Sequence, residues 1–175
     1  MKKKKLKKKI NKTVTAHLKP LGIAKAKLKD EYSYYYDKDM VTFKIDKADE
    51  EYYADIWFRD FLSDRFSFKI DTPILDFIMS LLHECGHAIA NEEIEGAIYE
   101  FCQNEKLRIN VETMVAIEAD NLELGKQLEY QYFNLPDEIM ATQWAVWYAE
   151  NHAKQIEKMK KDFEPLFNKW RTLTE

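Results

Sequence analysis

Apolar and polar positions follow two periods along the chain, and the change of period separates two kinds of element. Around residues 32–45 the period is two. Tyr32-Ser33-Tyr34-Tyr35-Tyr36 is aromatic and polar, Asp37-Lys38-Asp39 forms a turn, and Met40 to Ile45 sets Val41, Phe43 and Ile45 against Thr42 and Lys44. This predicts a β-hairpin with one buried face. Phe66-Ser67-Phe68-Lys69-Ile70 predicts a further short strand. Residues 48–62 predict a helix with Tyr52, Ile56 and Trp57 turned inward.

Helical periodicity dominates afterwards. Thr72 is a suitable N-cap, and Pro73 takes the first helical position, where a missing N–H is harmless. Ile74, Leu75, Phe77, Ile78, Met79, Leu81 and Leu82 are apolar almost all round, which predicts a central buried helix running to about Ala90. Acidic residues 92–95 lead into helical sequence around 94–101 and again around 111–128. Leu135-Pro136-Asp137 opens another helix, with two acids complementing its dipole, expected to run to Lys161 and stop before Pro165. The pattern describes an α+β fold, mostly helical, with a small N-terminal antiparallel sheet or hairpin.

Charge adds an asymmetry that the net value of −4 hides. Residues 1–29 hold 12 Lys and no acid, whereas the remaining 146 residues carry 15 basic and 31 acidic side chains. Residues 1–12 read as a frayed or weakly helical lysine run, and Pro20-Leu21-Gly22 as a break. The expected organisation is a basic N-terminal arm over 1–29 and a single domain over 30–175. The arm could touch nucleic acid, an anionic surface or the acidic body itself, and a solvated or self-associated basic segment is the preferred reading of such a charge run. Only 4 Gly and 4 Pro among 175 residues, with 46% hydrophobic content, exclude a low-complexity or disordered chain. Two cysteines, Cys85 and Cys102, are too few for a disulfide scaffold. With no run of about 18 apolar residues and no signal-peptide pattern, the expectation is a cytoplasmic protein with no membrane partner.

Chemistry concentrates in His83-Glu84-Cys85-Gly86-His87, inside the apolar helix. Imidazoles four positions apart lie one turn apart on a single face and can reach one metal ion together. Glu84 points aside from that pair, where a carboxylate serves as general base to a water on the metal. Neutral imidazole with a carboxylate and an open position suits a catalytic zinc ion, Zn2+. Gly86 costs a helix about 1 kcal/mol relative to Ala, a cost that calls for a reason such as close approach of another backbone. A third ligand is needed. His17 and His152 are the only other histidines, and Glu92, Glu93 and Glu95 lie too near the helix end to fold back. Glu138 is the preferred ligand, because Ala141 and Ala145 keep its helix slim enough for close packing; Asp137, Glu129 and Glu118 are the alternatives. Cys85, Trp144 and Tyr148 read as core residues, and no oxyanion-stabilising group stands out among Tyr132, Tyr148 and His152.

HECGH followed by Glu138-x-x-Ala141-x-x-Trp144-Ala145 resembles the zincin metallopeptidases, specifically the small gluzincins common in bacteriophages and other mobile elements. The resemblance covers residues 73–90 and 134–149. It implies a zincin-like domain and zinc-dependent hydrolysis of a peptide or protein substrate. His83, His87 and Glu138 would be the ligands and Glu84 the base, with residues 32–45 forming a sheet edge on which the peptide adds as a strand. For a phage-encoded chain the compartment would be the host cytoplasm. The separation of 51 positions from His87 to Glu138 exceeds the gap in thermolysin-like relatives, and the insertion reads as a lid, a partner surface or extra packing. Two other readings stay open: a zincin-shaped binding module with a non-catalytic metal site, and a nucleic-acid-associated factor using the lysine-rich N-terminus.

Overall fold

Leu6, Ile10, Val14 and Leu18 recur at every fourth position, a spacing that places them on one helical face. Helix α1 (Lys3–Leu18) buries all four to 2% exposure or less. The computed structural model describes residues 3–47, 52–90, 94 and 96–174. From Lys3 onward the lysine run is therefore a packed helix and not a frayed segment; residues 1–2 lie outside the described residues. Lysine is a good helix former, and burial of the four-residue seam supplies the tertiary stabilisation that a short isolated helix lacks. A 3-10 turn over Lys19–Leu21 follows, closed by Gly22 at φ 87°, where the absence of a Cβ matters.

Strand β1 (Lys25–Leu28) turns Ala26 and Leu28 into the core. It was not anticipated, since only two small or apolar residues alternate with its lysines. The expected hairpin is present as β2 (Ser33–Tyr35) and β3 (Met40–Phe43), antiparallel with Tyr34 opposite Val41. Its connection is a 3-10 turn over Tyr36–Lys38 ending at Asp39, φ 40°. β3 pairs in parallel with β1 on its other side, Lys25 opposite Met40 and Leu28 opposite Phe43. The sheet is thus mixed, in the order β1-β3-β2, and not purely antiparallel. As the central strand, β3 is buried on both faces, which encloses Thr42 where solvent exposure was expected. Its hydroxyl donates to the Glu31 carbonyl at 3.2 Å and meets the Ser33 hydroxyl at 3.0 Å.

Helix α2 (Tyr53–Phe66) buries Trp57, Phe61 and Leu62, while Ile56 is half-buried and Tyr52 is exposed. The expected strand over 66–70 is absent. α2 runs through Phe66, and the chain then leaves through Ser67 at φ 55° as a connector whose Phe68 and Ile70 only pad the core. Helix α3 (Pro73–Ala90) is the central element, with Ile78, Leu82 and Cys85 fully enclosed. Thr72 caps it as expected, its hydroxyl accepting from the Leu75 N–H at 3.4 Å.

The sequence after α3 folds as a helical hairpin, α4 (Ala97–Glu118) and α5 (Leu122–Phe133). α4 is one continuous helix where two separate stretches were expected. The break falls instead at Asp120 (φ 55°) and Asn121, whose side chain accepts from the Leu124 N–H at 3.2 Å. Helix α6 (Pro136–Asn151) begins at the expected proline but ends at His152, not near Lys161. Helix α7 (Ala153–Thr174) then continues with Pro165 inside it. An internal proline costs a helix about 3 kcal/mol. The apolar stripe of Ile156, Met159, Phe163, Phe167 and Trp170 runs past it into the main core, and that burial outweighs the local penalty.

The main core joins α1, the sheet, α3, α6 and α7. A smaller cluster of Ile109, Ala116, Leu128 and Leu135 holds the α4–α5 hairpin, and Trp57, Phe61 and Phe133 tie α2 to α5. Among the described residues no helix is long and apolar enough to cross a membrane.

Candidate metal centre

Contact between α3 and α6 is set by residues without bulk. A Cβ on Gly86 would lie 2.7 Å from the Ala141 Cα, so any larger residue would force the backbones apart. Ala141 and Ala145 are 0% and 1% exposed on the facing side of α6. The close approach inferred from Gly86 is present, and it brings the first turn of α6 over the histidine face of α3.

At that contact His83, His87 and Glu138 converge. One Glu138 oxygen lies 2.9 Å from His83 Nε2 and the other 3.3 Å from His87 Nε2. The two Nε2 atoms are 3.1 Å apart. One ligand atom from each residue falls within 4.8 Å of the other two, and the group could hold a metal ion. Two imidazole nitrogens and a carboxylate oxygen form a donor set suited to a borderline divalent cation with a position left over. Thr142, one turn beyond Glu138, meets His83 Nδ1 with its hydroxyl at 3.0 Å, which fixes the ring and leaves Nε2 facing the centre. Phe58 packs edge-on against the same ring at 5.6 Å.

Glu84 is buried beside this group and borders the same cleft. Burial, reinforced by Glu138 and opposed by His83 and Lys106, pushes its carboxyl up to about 7. Glu138 behaves oppositely. Burial would raise it, but His87 and His83 hold its carboxyl well below the usual carboxylate range.

Sequence reasoning missed Lys106. Its Nζ sits 2.5 Å from an Asp137 oxygen and 2.5 Å from a Glu138 oxygen, so the insertion between His87 and Glu138 supplies a cation to the centre. A signal existed: Lys106 shares the inner seam of α4 with Cys102, Ile109 and Thr113, where an ammonium needs a buried acid. Among the alternative ligands, Asp137 is taken up by Lys106 and by the Glu138 backbone N–H at 3.0 Å. Glu129 lines the cleft, its carboxyl pushed up to about 7 by burial and by Glu138. Glu118 is exposed at the end of α4, and Glu92, Glu93 and Glu95 lie outside the described residues. His17 pairs with Asp162 at 2.8 Å, and His152 stacks on Tyr148 with ring centroids 4.2 Å apart; neither joins the centre. Cys85 and Tyr148 are buried in the main core, and Trp144 packs against it half-buried.

The cleft encloses about 530 Å³. α3 forms its floor, Ser33 and Tyr34 of the edge strand β2 one border, and Gln103, Lys106 and Tyr132 of the α4–α5 hairpin the opposite wall. Compared with known protein families, curated proteins and solved structures, the chain matches none of them.

Proposed function

We propose that this chain is a zinc-dependent peptidase with a zincin-like domain of the gluzincin type. The observation that carries the reading is the convergence of His83, His87 and Glu138 on one point, with Glu84 beside them in an open cleft. His83, His87 and Glu138 would hold the ion. Zinc bound there supplies Lewis-acid polarisation and brings the pKa of water down to about 7.

The chain's own residues do the rest. Glu84 takes the proton of the attacking water and delivers it to the leaving amine nitrogen. Thr142 keeps the His83 ring in place, and Lys106 holds Glu138 and Asp137 against the helix. The Tyr132 hydroxyl, on the hairpin wall of the cleft, would be a donor for the negative charge that develops on the scissile carbonyl oxygen. β2 is an edge strand whose Ser33 and Tyr34 border the cleft, so an extended peptide has backbone groups to pair with there.

Protein purified without chelator should carry about one zinc per chain, and His83→Ala should lose it. Digestion of an unbiased peptide library should give cleavage by the wild type and, for Glu84→Gln, zinc retention with turnover down by at least about 100-fold. Zinc binding without any cleavage by the wild type would leave a non-catalytic metal site as the better reading.

A further inference from the structure

The lysines of the N-terminal segment are fixed in place. Because Leu6, Ile10, Val14 and Leu18 anchor one side of α1 in the core, its charged side chains are held on a rigid outer face. Two grooves flank that face. One, of about 390 Å³, lies between α1 and β1 and is bordered by Lys12, Lys19, Lys25 and Lys27, with no carboxylate in its lining. Asn11 and Thr15 also border it, but their side chains are committed to the Leu28 and Ala26 backbone N–H groups at 2.8 and 2.9 Å. The second, of about 480 Å³, lies between α1 and α7. It shares Lys12 and adds Lys9 and Lys158; its one acid, Asp162, is engaged by His17. None of these six lysines forms an ion pair among the described residues.

We propose that this face binds the phosphate backbone of double-stranded nucleic acid without regard to sequence. Like charges packed this densely repel one another, and a polyanion relieves that repulsion while releasing its own counterions. An anionic membrane fits less well. An interfacial helix needs an exposed apolar face to insert, and all four large apolar residues of α1 are buried in the core. The absence of arginine from residues 1–29 removes the bidentate fork used to read guanine edges. The basic face lies along the β1 edge of the sheet and the cleft along the β2 edge, so both can be occupied together. The proposal is independent of whether the cleft is catalytic.

The test uses the full chain and fluorescence anisotropy with two labelled 20-base-pair DNA duplexes of unrelated sequence. Because the whole chain has a net charge of −4, overall charge does not by itself produce binding. Expected are dissociation constants in the range of about 1 to 100 µM near physiological salt, similar for both duplexes, weakening about 100-fold between 50 and 200 mM KCl if about four phosphates are contacted. The combined variant Lys12→Glu, Lys19→Glu, Lys25→Glu, Lys27→Glu should bind at least tenfold more weakly with a flatter salt dependence. The corresponding four Gln substitutions, checked by circular dichroism, serve if the Glu variant fails to fold. Undetectable binding at 50 mM KCl, wild-type affinity in the folded variant, or co-sedimentation with phosphatidylserine vesicles in place of DNA binding would each overturn the proposal.

Discussion

At the scale of single residues, the candidate centre depends on side chains that are small as much as on the three that converge there. Gly86→Ala gains about 1 kcal/mol of helix propensity, yet its Cβ would meet the Ala141 backbone. Overpacking of this kind costs about 1–3 kcal/mol, so the variant should be less stable in urea denaturation and, on the proposed function, should retain zinc poorly. Lys106 compensates two buried carboxylates, and removing one partner of a buried pair costs on the order of 3 kcal/mol. Lys106→Met should lose about that much stability in chelator; if the proposed zinc site is right, saturating zinc should restore part of it, because Glu138 would then face a cation again. The histidine pair, Glu84 and the preference for Glu138 were readable from type and spacing. Lys106 was not, because its partners lie 31 and 32 positions away and only tertiary packing brings them together.

At the scale of elements, local signals succeeded where a cap or a period was strong. Thr72-Pro73 and Pro136 opened helices as expected, and the alternation of Val41 and Phe43 gave a strand. They failed where burial overruled local preference. The lysine run of α1 reads as frayed or weakly helical, yet it is a full helix whose seam is part of the core. Ile10→Ala should therefore destabilise the protein by about 3 kcal/mol, measured by urea unfolding; a frayed segment would show almost no change. Pro165 reads as a helix stop, but the stripe of α7 continues across it into the core.

At the scale of the whole molecule, packing sets the electrostatics. Asp76, at the start of α3, has its carboxyl raised from 3.8 to about 6, chiefly by burial and with Arg59 opposing. The unfolded chain ionises this group first. Folding is therefore favoured below pH 4, and up to about 3 kcal/mol of that preference is lost as pH rises through 6. Asp76→Asn should remove this component of the fall in stability between pH 4 and 6, followed by urea midpoints across that range. What the sequence determined by itself was whatever depends on neighbours along the chain: helix starts, the hairpin, and two imidazoles one turn apart. What the tertiary structure decided was which distant groups meet. The parallel pairing of β1 with β3, the seating of α1, the placing of Glu138 over the histidines and the arrival of Lys106 all depend on contacts between remote segments. Their free energy comes from burial and charge compensation in the folded state, to which a period or a spacing along the chain is blind.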